Sequence, residues 1–236
     1  MDNKDVQILT GLQSSGVSPF EKTALNVNAD KGIQDLVVDP RKKFEIINGV
    51  EYSSIIRDVP GKIDGGFFGY GSAFVIEFDK SPLLKGLFEE IEAEVGNEPS
   101  EEIVLGVVYK KTCELFTNSN EKEVDALGYR IRNKIGIVSL ENFAQAKTGF
   151  CTQASAFEAL MIEKLIEKGR IKGNVSISGF DVETPEYSGG HVFCRFESRT
   201  KKWVLDAMAP FMGSEEDYEP VKKDIVWKIE RDFGSI

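Results

Sequence analysis

The chain has 236 residues, 41% of them apolar, with 29 Lys+Arg against 39 Asp+Glu and a net charge of −10. That length and apolar share suit one large domain, or one domain with a substantial extension, and exclude a chain too polar to fold. Nucleic acid and anionic membrane are poor partners for it, because both call for a concentrated positive surface and the basic runs are only pairs or triplets such as Arg41-Lys42-Lys43.

Three cysteines, Cys113, Cys151 and Cys194, are too few and too odd in number for a disulfide framework, so a reducing compartment is expected. With one histidine, His191, and no CxxC or HxxxH spacing, the sequence predicts no metal and no cofactor. The start "MDNKDVQILTG" lacks the basic-then-apolar pattern of a signal peptide, and no apolar stretch reaches membrane-spanning length. A cytoplasmic location is expected, with secretion by a specialised machine left open.

In chain order, residues 1 to about 40 are polar and weakly periodic, an arm that is either ordered or partly mobile. "KFEIINGVEYSSIIRD" predicts a hairpin about Asn48-Gly49, a dipeptide that accepts the positive φ of a type I′ turn. "GGFFGYGSAFVIEFD" predicts a further strand, with Phe74, Ile76 and Phe78 on one face. Its glycines do not make a phosphate loop, because a strand pattern and not a helix follows them. Pro82 opens a helical region: one helix with Ser81 as cap and Gly96 as stop, then a second capped by Ser100 with acidic residues in its first turn. Cys113 on the second helix reads as a packing residue. Residues 121 to 135 form another helix or a loop.

The helix from about Cys151 to Lys168 carries a core stripe of Ala154, Phe157, Leu160, Met161 and Leu165, stopped by Gly169. Strands follow in "NVSISGF", "HVFCRFES", "KWVLDA" and "DIVWKIERDF". The acidic run "SEEDYE", 214–219, reads as a solvated loop, with a cation site there conceivable. Helices before strands predict an α+β fold, with residues 1–81 a β-containing extension and 82–236 the main domain.

One cysteine stands where chemistry is available. A thiol attacks an acyl carbon as thiolate, and a helix N-terminus and a nearby imidazolium both favour that charge. Cys151 opens its helix, and Gly149 before it leaves room for backbone and substrate. His191 begins a strand after the glycine lead-in "YSGG", and Asp206 in "WVLDA" falls on the next antiparallel strand, within reach of the imidazole. The bland alternatives are a buried core cysteine, a structural histidine, and an aspartate that ends its strand and caps the turn to Pro210. Cys194, by alternation, faces away from His191 into the core. Trp203 reads as structural, and Phe150 and Tyr187 as either cleft-flanking or packing residues.

"TGFCTQASAFEALMIEKL", "GGHVFCRF" and "KKWVLDAMAP" together resemble the core of the transglutaminase-like superfamily of papain-type cysteine enzymes, over about residues 100 to 210. The resemblance implies a catalytic helix packed on an antiparallel sheet, with Cys151 as nucleophile, His191 as base and Asp206 as orienting carboxylate. It makes Gln145 an oxyanion candidate beside the backbone N–H of Cys151. The histidine is followed two places on by Phe193, where the family commonly has Trp; Trp203 and Trp227 are both downstream of the cysteine. The implied activity is cysteine-dependent acyl chemistry on an amide of a protein or peptide substrate. Peptide or isopeptide hydrolysis leads, glutamine deamidation or transamidation is the alternative, and a non-catalytic binding module on this fold is the competing class. The sequence leaves the oligomeric state open.

Overall fold

The computed structural model describes residues 44–218, apart from 48, 70–72, 98, 117–123, 125–137 and 184–187. The N-terminal arm, Tyr187 and the strand "DIVWKIERDF" with Trp227 lie outside the described residues, as does nearly all of 121–135. No helix among the described residues is long and apolar enough to cross a membrane.

The fold is α+β, with two sheets that are mainly antiparallel. The first contains β1 (Phe44–Ile47), β2 (Val50–Ser54), β3 (Gly66–Phe68) and β4 (Phe74–Val75) in that order. Ile47 pairs with Val50 and Gly49 has φ 78°, as a two-residue hairpin loop requires. The run expected to give one strand gives two, because Gly66 already pairs with Ser53 and the β4 ladder is only two residues long. The face assignment holds: Phe74 and Ile76 are buried in the main core, and Phe78 packs against it.

Four helices of seven residues or more follow among the described residues: α1 (Pro82–Val95), α2 (Glu101–Phe116), α3 (Leu140–Ala146) and α4 (Cys151–Glu167). Ser81 Oγ caps α1 by accepting from Leu84 N at 3.0 Å, and Ser100 Oγ accepts from Ile103 N at 3.3 Å ahead of α2. The second sheet is a meander of β5 (Asn174–Glu183), β6 (Ser188–Glu197), β7 (Lys202–Asp206) and β8 (Phe211–Ser214). The glycines expected to lead into the His191 strand are inside it, since Gly189 pairs with Val182 and Gly190 with Asp181.

α4 is the central element. It packs on α2, α3, β5, β6 and β7, and every residue from Thr152 to Ile162 is buried. The expected apolar stripe is in the core, but so are Thr152, Gln153, Ser155 and Glu158, which a one-sided helix would turn to water. The chain ahead of α1 joins the same core through Ile55, Ile63, Phe68, Phe74 and Ile76. It is also fastened to the far end of α4. Glu163 accepts from the backbone N–H groups of Ile63 and Asp64, both at 2.8 Å, and Lys164 reaches Asp64 at 2.8 Å.

Burial opposes charge on Asp64, yet the Lys164 ammonium and the Phe78 N–H hold its carboxyl below the ordinary range. The stability from that depressed carboxyl is present above its unfolded value and is lost as pH falls through the folded one. Lys164→Met is therefore expected to lower stability by about 2–4 kcal/mol at neutral pH. In urea unfolding, the gap from wild type should narrow on acidification. A gap that is absent at neutral pH, or constant into acid, contradicts this role for the pair.

Candidate active site

The site is built where the start of α4 meets the end of β7. Phe150 is the N-cap of α4, and its N–H donates to Gln153 Oε1 at 2.8 Å, closing the first turn. Cys151 is the first helical residue and is half-buried. Gly149 is needed for close packing: a Cβ there would lie 2.8 Å from both Gln153 Cβ and a Phe116 ring carbon. The room it provides is occupied by the protein itself, which seats the turn carrying Cys151.

His191 is 7% exposed and Asp206 is 2% exposed. Leu205 pairs with Cys194, so the pleat puts Asp206, Phe193 and His191 on one face of the sheet and Cys194 on the other. Cys194 is fully buried in the main core, as expected for that face. His191 Nε2 and Asp206 Oδ2 are 2.5 Å apart. With Nε2 engaged, Nδ1 is the ring nitrogen left for Cys151, the other side chain that acts on the imidazole.

Burial disfavours a charged His191, but hydrogen bonding to Asp206 and Cys151, and their negative charge, prevail and push it from 6.5 up to about 10. A raised value means that the imidazolium stabilises the fold fully below about 6.5, and that this contribution fades as pH rises through about 10. Asp206 shifts the opposite way. Burial would raise it, but His191, Tyr218 and a backbone N–H keep its carboxyl below the ordinary range.

Asp206 fills both roles weighed for it. Its Oδ1 accepts from Met208 N at 3.1 Å and Ala209 N at 2.9 Å, which caps the turn. Its Oδ2 holds the imidazole and also accepts from Tyr218 Oη at 2.5 Å. Tyr218 corrects the reading of 214–219 as a solvated loop: it is fully buried against Phe193 and Phe211, and Glu215 pairs with Arg195. The signal was an aromatic residue closing an acidic run, a poor residue to leave in water. No cluster of metal-ligating side chains occurs among the described residues.

Gln145 is exposed on α3, and no described hydrogen bond joins it to Cys151, His191 or Asp206. Trp203 is buried in the main core, with its Nε1 3.3 Å from Glu101 Oε2. Phe150 packs against that core, and Cys113 lies on α2 with its thiol pushed up by burial. No protein-family model matches the chain, and no curated protein or solved structure matches it.

Tyr218→Phe keeps the ring and removes only the hydroxyl. It is expected to cost about 1–3 kcal/mol at neutral pH, because Asp206 loses one of its donors while buried. Asp206 is depressed in the fold, so this loss should shrink as pH falls through its folded value. Unfolding curves of equal midpoint at neutral pH would contradict the bond.

Proposed function

We propose that this chain is a cysteine-dependent acyl-transfer enzyme with a transglutaminase-like, papain-type core, hydrolysing an amide bond of a protein or peptide. The observation that carries the reading is the junction of Cys151, His191 and Asp206, brought together from a helix start and two neighbouring strands. Their order along the chain is the one the resemblance implies, and the described triad side chains lack none of its members.

The chemistry follows from the positions. The Cys151 thiolate adds to the amide carbonyl carbon, and the carbonyl oxygen takes up negative charge. The N–H of Cys151, among the orphan donors at the start of α4, is the donor proposed for that oxygen. His191 passes its Nδ1 proton to the leaving nitrogen as the C–N bond breaks, which leaves a thioester on Cys151. A water molecule, losing a proton to His191, then attacks the thioester; the C–S bond breaks, which releases the carboxylic acid and restores the thiolate–imidazolium pair. An amine in place of water gives transamidation, and a glutamine side chain as the acyl donor gives deamidation. Asp206 holds the ring with Nδ1 toward sulfur through both steps.

Iodoacetamide labelling of the native chain tests the activation. Cys151 is expected to react at least about tenfold faster than Cys113 or Cys194 at neutral pH. Exposure alone would also favour Cys151 over Cys194, so the decisive comparison is His191→Gln, which should slow Cys151 by about tenfold or more. Equal, slow labelling of all three thiols, or no effect of His191→Gln, counts against an activated nucleophile. Ammonia release from glutamine peptides would move the assignment from peptide hydrolysis to deamidation.

A further inference from the structure

α4 carries one carboxyl group into the core along with its apolar side chains. Glu158 is 0% exposed, and neither Oε1 nor Oε2 has a hydrogen-bond partner among the described residues. It follows Cys151 by two helical turns, on the same face of α4. An ionised carboxylate buried without a partner is strongly disfavoured, and even the neutral acid gains nothing from packing that a methionine would not give. Such a group calls for a specific reason.

Its surroundings supply one. The titratable groups whose charge bears on it are Tyr109 and Cys113 on α2, Tyr218 beyond β8, and Cys194, His191 and Asp206 on β6 and β7, the strands that α4 packs against. His191 and Asp206 are the charged members of this set. We propose that Glu158 is a positioning residue of the active site, a second buried carboxyl group that acts on Cys151 through the His191–Asp206 pair. This rests on the cysteine-enzyme reading and adds a residue to it.

Burial, and then the negative Asp206, hold the Glu158 proton well above the ordinary carboxylate range, with His191 pulling the other way. Where Glu158 keeps its proton, the interior beneath the site carries one carboxylate and not two. When Glu158 loses its proton, the added negative charge favours the imidazolium of His191 and opposes Asp206. The two ionisations are coupled, and the pH at which the imidazolium is lost belongs to the pair. A glutamate present only to fill space would leave that pH where it is on replacement.

The test follows iodoacetamide alkylation of Cys151 and the ring ¹⁵N titration of His191, the single histidine, across pH in the full chain, in Glu158→Gln and in Glu158→Met. Both variants should lose the His191 imidazolium at lower pH than wild type, by roughly half a unit or more, as read from its ring ¹⁵N shifts. Glu158→Met also removes an unpartnered buried carboxyl, so it should resist denaturant better than wild type, which keeps a folded variant in hand. The infrared carbonyl stretch of a protonated carboxylic acid, present in wild type at neutral pH and absent in Glu158→Gln, would support the neutral acid. Superimposable pH profiles, a shift to higher pH, or no such stretch in wild type overturn the proposal. If Cys151 of the wild type fails to outpace Cys113 and Cys194, the enzyme reading itself falls, and the infrared band still reports on Glu158 independently.

Discussion

The Asp206 carboxylate holds the site together by accepting four hydrogen bonds. Two come from the backbone of the turn after β7, one from Tyr218 and one from His191. A buried carboxylate stays ionised only if its lone pairs are filled and a positive charge lies beside it. Both conditions hold here, and each donor is fixed in turn. The turn amides are fixed by the chain, the phenol by Phe193 and Phe211, and the imidazole by β6 and the Phe180 ring at 5.5 Å. The charge on Asp206 then decides the charge on His191, which in turn decides what Cys151 can become.

α4 couples this polar site to the apolar core. Its first turn presents Cys151 and its middle is buried on every face. Its far end is fastened to the chain between β2 and β3 by Glu163 and Lys164. The sheet–helix contact that buries Cys194, Phe196 and Leu205 also sets the distance from sulfur to imidazole. Packing energy spread over the core thus fixes the positions of a few reacting atoms, and the rigidity of the support is what makes a preorganised site possible.

Much of this is legible in the sequence where local chemistry decides. Ser81-Pro82 and Gly96 mark α1 because capping and φ preferences act over a few residues, and Asn48-Gly49 marks its hairpin for the same reason. The cysteine at a helix start, the histidine on a strand and the aspartate on the next follow from element order and pleat. What escaped depends on contacts between segments far apart in the chain. Thr152, Gln153, Ser155 and Glu158 look like residues turned to water until the helices and strands packed around α4 are known. Tyr218 looks solvated amid acidic neighbours until β8 delivers it to Asp206. Val75, paired with Phe67 in the first sheet, also bridges Ser139 just ahead of α3, which no local signal announces.

The claim at the centre is that His191 stands as an imidazolium between Cys151 and Asp206. The chain has a single histidine, so ¹⁵N nuclear magnetic resonance of imidazole-labelled protein reads that ring without assignment. The arrangement requires both ring nitrogens to be protonated at neutral pH, with a titration midpoint near 10. A neutral ring in one tautomer at neutral pH, titrating near 6.5, would contradict it.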